Sequence, residues 1–187
     1  MASPIGKQSE HLLPTRRQIL LLGTLVLGEL GSWSVAGAAA EDPGVSHEAE
    51  SIHQEPLIRS TPARVYGALT QASQFERLTQ FSDAIKSMSL GPKPAEISAQ
   101  PGGAFSLFGG FVSGVFVELV PDKLIVQAWR SASWAAGRYS IVRFELLAQE
   151  ETTKIVCDHG GFPTGQGQSL AHGWQVNYWA PLNKLFS

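Results

Sequence analysis

The fold is decided by a stretch near the end of the sequence, Asp158-His159-Gly160-Gly161-Phe162-Pro163, together with residues 164–187 that follow it. The apolar residues of the second part recur at spacings of four, four, four and three; they are Leu170, Trp174, Tyr178, Leu182 and Leu185. Residues at these spacings lie on one face of an α-helix. Gly160, Gly161 and Pro163 interrupt the preceding strand, and Thr164 offers a hydroxyl that can cap the first helical turn. The pattern predicts one long C-terminal helix whose aromatic face lies against a sheet built from the residues upstream.

The segments before this helix have the β-branched and aromatic content typical of strands. Strands are predicted at 104–108, 111–120, 123–129, 139–147 and 153–159, after an extended segment at 53–59 and a strand beginning near Glu96. A helix that begins at Ser60 or Thr61, with Pro62 in its first turn, and a second one at about 73–81 separate the first strand from the rest. The predicted fold class is α+β, a curved antiparallel sheet of about six to seven strands wrapped on one long C-terminal helix, with two short helices after the first strand.

Composition limits the classes of partner. The chain has 187 residues, of which 43% are hydrophobic and 16% charged, and this suits one globular domain with a sizeable core. A formal net charge of −2 gives no electrostatic reason to expect nucleic acid. Cys157 is the single cysteine, so the chain can form no internal disulfide and has too few thiolates for a structural zinc site.

The first forty residues have the pattern of an export signal. Arg16 and Arg17 follow Thr15 and precede an apolar stretch at 20–35, and small residues that include Ala38 and Ala40 come next. This order predicts a removable signal peptide. The stretch resembles the twin-arginine signal pattern, with Leu21 in place of the usual lysine, and that resemblance implies twin-arginine export.

An uncleaved membrane anchor is the alternative interpretation of this segment, because its apolar stretch approaches the length that spans a bilayer. Glu29 within the stretch and the small residues of the cleavage site argue against it. We therefore predict a signal peptide at 1–40, a flexible acidic leader at 41–51 and one domain at 52–187. The protein is expected in the periplasm or outside the cell, with no stable membrane span after signal removal.

Six segments together resemble a bacterial family similar to the C-terminal domain of the activator of heat-shock-protein-90 ATPase. They are Gly102-Gly103-Ala104-Phe105, Glu118-Leu119-Val120-Pro121, Ile125-Val126-Gln127-Ala128-Trp129-Arg130, Tyr139-Ser140-Ile141-Val142, the stretch at 158–163, and Gly173-Trp174 with Tyr178-Trp179-Ala180-Pro181-Leu182. Their order and spacing match over about 52–186. The family is part of the START-like, or SRPBCC, helix-grip superfamily, whose members bind lipids, hormones, polyketides or partner proteins. The resemblance implies the helix-grip fold and leaves the function to be argued from the site.

The candidate chemical groups are few. Cys157, Asp158 and His159 are sequence neighbours, but adjacent residues of a strand point to opposite faces, so Asp158 cannot orient the His159 ring directly. A structural role for both is favoured. Arg130 could meet an anionic group of a ligand, although an ion pair with a surface carboxylate is favoured. We predict no catalytic residue, cofactor or metal, since His159 and His172 lie in different elements and lack partners at metal-ligand spacing.

Aromatic residues are the more informative set. Those expected near the concave face of the sheet are Phe105, Phe108, Trp129, Trp134, Tyr139, Phe162, Trp174 and Tyr178. They either fill the core or line an apolar cavity between sheet and helix, and the sequence favours neither. If a cavity exists, Arg130, Asp158 and His159 are its candidate polar groups.

Three functions remain open. The first is an exported module that binds a small apolar or aromatic ligand beneath the C-terminal helix. The second is a module that binds a protein partner, by analogy with the chaperone activator, although export would separate it from that cytosolic chaperone. The third, and weakest, is an enzyme of the cyclase or dehydratase kind that uses Asp158 or His159 as an acid or base.

Overall fold

The computed structural model describes residues 49–83 and 93–187, so the predicted signal peptide and most of the predicted leader lie outside the described residues. The strands are β1 Ala49–Gln54, β2 Leu57–Ile58, β3 Glu96–Ile97, β4 Ala104–Leu107, β5 Val112–Val120, β6 Leu124–Ser131, β7 Ser140–Gln149 and β8 Thr152–Pro163. The helices are α1 Pro62–Thr70, α2 Ala72–Thr79, a 3₁₀ turn Phe108–Gly110, and a C-terminal helix formed by α3 Gly167–Trp174, a π-helical segment Gln175–Trp179 and α4 Ala180–Leu185.

The described strands form one open antiparallel sheet of eight strands in the order β1-β8-β7-β6-β5-β4-β3, with β2 also pairing with β8. From β4 to β8 each strand pairs with the next one along the chain, and β1 pairs with β8 at the edge of the sheet. The C-terminal helix covers one face of the sheet, and its buried residues belong to the same core as those of the strands. The predicted α+β helix-grip fold is therefore confirmed.

Strand β8 is longer than predicted. The sequence suggested that it ends at His159, but it continues to Pro163. Gly161 makes the continuation possible because its φ of 83° lies in the left-handed region that favours glycine. The pairing with β1 shifts register at this point, from Ser51 opposite Gly160 to Glu50 opposite Phe162. The glycines thus form a β-bulge within the strand rather than a break after it.

The first helix begins as the sequence predicts. Thr61 is the N-cap residue of α1, its hydroxyl accepts a hydrogen bond from the Arg64 N–H at 3.5 Å, and Pro62 lies in the first turn. Helix α2 follows after Gln71 and contributes Phe75 and Leu78 to the core. Phe75 contacts both Phe108 and Tyr178 edge to face, which joins this helix to the 3₁₀ turn and to the C-terminal helix.

The C-terminal helix contains a π-helical turn that periodicity alone did not predict. Pro181 has no N–H to donate to the carbonyl of Asn177, and its ring would clash with that carbonyl in a regular α-helix. The backbone widens just before it, and the Ala180 N–H donates to the Gln175 carbonyl, five residues back. The wider turn places Trp179 over Trp174, with ring centroids 5.6 Å apart and planes at 16°.

The start of this helix also differs from the prediction. The N-cap residue is Gln166 and not Thr164, so the prediction of a Thr164 cap is wrong. A carboxylate from β1 binds the backbone here instead: Glu50 accepts hydrogen bonds from the N–H groups of Gly165 at 2.6 Å and Gly167 at 3.0 Å. Strand β1 begins at Ala49, inside the segment predicted as leader, and this is why Glu50 is held in place.

Candidate functional site: a cavity under the C-terminal helix

A cavity of about 270 Å³ lies between the sheet and the C-terminal helix. Its inner end is formed by buried residues, which are Phe108, Val112, Trp129, Ser131, Trp174 and Tyr178. Its outer end is formed by exposed or half-buried residues, which are Phe111, Ser133, Gln166, Ser169, Leu170, Gly173 and Asn177. The inner end is therefore mainly aromatic and the outer end mixes apolar groups with hydroxyls and amides. None of these described wall residues is an Asp, Glu, Lys, Arg or His.

The outer end is held together by a bond between a loop and the helix. Trp134, in the loop after β6, donates its indole N–H to the side-chain oxygen of Gln166 at 2.6 Å. An indole N–H can only donate, so the atom that faces it must be the oxygen of the amide. The Trp134 ring also packs edge to face on Trp129, with centroids 5.3 Å apart. Trp134 thus supports the cavity from behind and fixes the orientation of the Gln166 amide.

Two polar groups in the inner wall lack a hydrogen-bond partner among the described residues. The Trp129 indole N–H and the Tyr178 hydroxyl are both buried, and neither makes a hydrogen bond of good geometry with the described residues. Burial raises the pKa of Tyr178, and the neighbouring Trp129 N–H opposes that rise. Both groups belong to residues that line the inner end of the cavity.

His159 lies in the core and is not part of the cavity wall. Its Nδ1 accepts the Trp174 indole N–H at 3.1 Å, and its Nε2 lies 2.7 Å from the hydroxyl of Ser140. Because indole only donates, Nδ1 carries no proton, so Nε2 carries it and donates to Ser140, whose hydroxyl donates to the Trp129 carbonyl at 3.0 Å. Burial lowers the pKa of His159 to about 4, which keeps the ring neutral.

This geometry gives no support to His159 as an acid or base. Both ring nitrogens are occupied by internal partners, and the side chain is fully buried. Burial also raises the pKa of the Cys157 thiol, with a smaller contribution from Asp158, so the thiolate needed for nucleophilic attack is disfavoured. Among the described residues, no three His, Cys, Asp or Glu side chains come together as a metal site would require. No helix in the described part of the chain is long and apolar enough to cross a bilayer.

The other candidate polar groups lie on the face of the sheet away from the helix. Asp158 is half exposed and its carboxylate lies 2.6 Å from Nδ1 of His53. Arg130 donates to the backbone carbonyl of Trp134 at 3.0 Å rather than to a carboxylate, and its guanidinium lies 5.9 Å from the ring centre of Tyr139. Tyr139 is 49% exposed. The structure does not bring Asp158, Arg130 and Tyr139 together with the cavity.

Four of the eight predicted aromatic residues form the cavity wall, namely Phe108, Trp129, Trp174 and Tyr178. Trp134 acts from behind it, and Phe105 and Phe162 pack in the core, against Phe116 and His159 respectively. The prediction missed the polar and small residues of the helix. These residues recur at spacings of three and four, next to the aromatic face of the helix; they are Gln166, Ser169, Gly173 and Asn177. This spacing was the pattern in the sequence from which a polar side of the cavity wall could have been predicted.

Comparison with known proteins gives one consistent family. The family described as Activator of Hsp90 ATPase homolog 1-like protein matches residues 59–187. The human protein Activator of 90 kDa heat shock protein ATPase homolog 1 is 32% identical over 93 residues, which cover 50% of this chain and 28% of the human one. The mouse homolog 2 is 26% identical over 142 residues, covering 76% of this chain and 39% of the mouse one. The matched part thus spans less than half the length of these relatives.

Solved structures agree on the fold. A crystal structure of an HSP90 activator from Plasmodium falciparum has a TM-score of 0.62 and 26% identity, and the match covers 72% of this chain and 94% of that one. CalU16 from Micromonospora echinospora has a TM-score of 0.58 at 19% identity, covering 74% of this chain and 77% of that one. At that identity the second match shows the fold alone.

Proposed function

The chain belongs to the family of Activator of Hsp90 ATPase homolog 1-like proteins, and from this premise we propose that it is a binding module that holds a small apolar or aromatic molecule in the cavity under its C-terminal helix. The observation that carries the proposal is the cavity of about 270 Å³ with an aromatic inner end. The space is open at its outer end and has buried aromatic side chains at its inner end, so an apolar ring can enter it and lose contact with water. An engineered apolar cavity of about 150 Å³ is already large enough to bind benzene.

A glycine in the wall offers a direct test. Gly173 lies in the C-terminal helix on the cavity side, and a Cβ added to it would meet no heavy atom within 4 Å. The position therefore has room for the first atom of a side chain, and the ring of a Gly173→Phe variant should occupy part of the cavity. We expect saturable binding of a fluorescent apolar probe to the wild type and a loss of affinity of about tenfold or more in Gly173→Phe.

Gly173→Ala is the matched control for this test. It keeps the cavity open, so it should bind the probe like the wild type, and it should raise the free energy of unfolding by about 1 kcal/mol because alanine favours a helix more than glycine does. Calorimetric titration and urea unfolding measure the two quantities. Absence of saturable probe binding to the wild type, or equal binding to Gly173→Phe, would contradict the proposed function.

A protein partner is the second candidate, and the names of the relatives favour it. Several are activators of a 90 kDa heat shock protein ATPase. Two apolar side chains are also exposed on the sheet face away from the helix. Val115 of β5 and Ile141 of β7 both pair with Ala128 of β6, so they flank it on neighbouring strands. Apolar groups grouped on a surface mark interaction sites. The test is the ATPase rate of a purified 90 kDa heat shock protein with increasing amounts of this chain, and an unchanged rate would argue against this candidate.

Export remains a separate proposal, supported by Arg16 and Arg17 before an apolar stretch and by Ala38 and Ala40 after it. We propose twin-arginine export to the periplasm or beyond. Substitution of both arginines by lysine should leave unprocessed precursor in the cytoplasm, as detected by fractionation and intact mass. Undiminished export of the double variant would exclude the twin-arginine route.

A further inference from the structure

The amide of Gln166 is a positioned hydrogen-bond donor at the outer end of the cavity. Its oxygen is held by the Trp134 indole N–H at 2.6 Å. Since the two ends of an amide point in different directions, the NH₂ group is directed away from Trp134. It has no acceptor among the described residues, while Gln166 itself belongs to the cavity wall. A donor whose orientation is fixed costs little conformational entropy when a ligand binds to it.

The charge of the wall limits what can bind. The described wall residues carry no carboxylate, ammonium, guanidinium or imidazole group. The side chain in the wall that can ionise is that of Tyr178, and burial raises its pKa further above neutral pH. A charged group carried into the buried inner end would lose its hydration without gaining a counter-charge. The hydroxyls and amides at the outer end, such as those of Ser133 and Gln166, can satisfy a neutral polar group instead.

We propose that the cavity selects neutral, ring-sized molecules that carry one hydrogen-bond acceptor, and that the Gln166 NH₂ group donates to that acceptor while Trp129, Trp174 and Tyr178 contact the ring. This inference rests on the proposed function, because it names the ligand class of the same cavity. The acceptor faces the outer end, where Gln166 lies, and the apolar part of the molecule faces the aromatic inner end. An aryl ketone has this arrangement of groups.

Four probes of similar shape test the selection by charge. They are ethylbenzene without an acceptor, acetophenone with a neutral acceptor, benzoate with a negative charge and benzylammonium with a positive charge. We expect acetophenone to displace a fluorescent apolar probe at a concentration about threefold or more below that of ethylbenzene. Benzoate and benzylammonium should bind at least about tenfold more weakly than acetophenone.

Gln166→Glu tests the assigned donor. Glutamate keeps the shape of the side chain and an oxygen for the Trp134 N–H, but it replaces the NH₂ donor by a second acceptor. Acetophenone should lose roughly five- to tenfold in affinity, while ethylbenzene should stay within about twofold. Gln168→Glu is the matched control, since Gln168 is exposed, two positions along the same helix and not part of the wall. It should leave both affinities unchanged.

The outcomes separate this inference from the proposed function. If ethylbenzene binds and Gly173→Phe abolishes its binding, the cavity is a binding site. Benzoate binding as tightly as acetophenone, or equal losses for both neutral probes in Gln166→Glu, would then overturn the ligand class alone. If none of the four probes binds the wild type, the proposed function fails and the ligand class fails with it.

Discussion

His159 and Tyr178 are both buried polar side chains, and they differ in how their polar atoms are satisfied. His159 has an internal partner on each ring nitrogen, so its burial is compensated and its role is to join β7, β8 and the C-terminal helix. Among the described residues, Tyr178 and its neighbour Trp129 have no such partners. An unpaired buried polar group costs about 1–3 kcal/mol. Proteins violate such local rules chiefly at functional sites, and this pair lies in the wall of the proposed binding cavity.

The elements around the cavity are positioned by residues from the first strand. Glu50 binds the start of the C-terminal helix, and Gln54 binds its middle by accepting the Trp179 indole N–H at 2.8 Å and donating to the Ala171 carbonyl at 3.0 Å. Asn183 continues the contact by donating to the Leu57 carbonyl at 3.0 Å. The helix is thus fixed along its length by polar contacts to β1 and β2. This leaves its other side free to form the cavity wall.

The Glu50 contact gives a prediction for the helix. Its carboxylate satisfies two N–H groups at the helix start, as an N-cap side chain does, so Glu50→Ala should lower the free energy of unfolding by about 1–2 kcal/mol. Glu50→Gln keeps one acceptor oxygen and should lose less. The control is Glu118→Ala, on the exposed face of β5, which should change stability by no more than about 0.5 kcal/mol. Urea unfolding that shows the same midpoint for Glu50→Ala and Glu118→Ala would contradict this assignment.

For the molecule as a whole, the sequence predicted those features best that depend on hydrophobic periodicity and on the order of elements along the chain. Strand alternation correctly separated Asp158 from His159, and the spacing of Trp174 and Tyr178 placed both side chains against the sheet. The features that were missed depend on contacts between distant residues or on backbone detail. The Glu50 cap joins residues 115 and 117 positions apart, and the π turn before Pro181 changes which side chains share a face.

The candidate site was predictable only in part for the same reason. Whether aromatic side chains leave a void depends on their rotamers and on the small residues between them, and neither is visible in a periodic pattern. Phe105 and Phe162 face the same core as Trp129 but pack tightly against their neighbours. Gly173 leaves space because it lacks a side chain at a position beside the aromatic residues Trp174 and Tyr178, in the wall of the cavity.

The pH dependence of global unfolding should report the burial of the neutral His159 ring. Burial lowers its pKa from 6.5 to about 4 in the folded protein. Between these two values the unfolded chain binds a proton that the folded protein does not, so stability rises with pH. The contribution is fully present above pH 6.5 and is lost as the pH falls to about 4, by roughly 3 kcal/mol in total.

Two histidine variants isolate this effect. In His159→Gln the amide oxygen can accept a hydrogen bond from Trp174 and the amide nitrogen can donate one to Ser140, but the side chain does not titrate. The free energy of unfolding measured in urea should therefore change much less between pH 6.5 and pH 4 than in the wild type. His53 is the control because its hydrogen bond with Asp158 raises its pKa, which has the opposite sign: that stabilisation is complete below 6.5 and is lost only as the pH rises. His53→Gln should therefore keep the acid-side loss of stability. If His159→Gln keeps it as well, carboxylates rather than His159 set the acid sensitivity, and burial lowers the pKa of His159 less than the structure indicates.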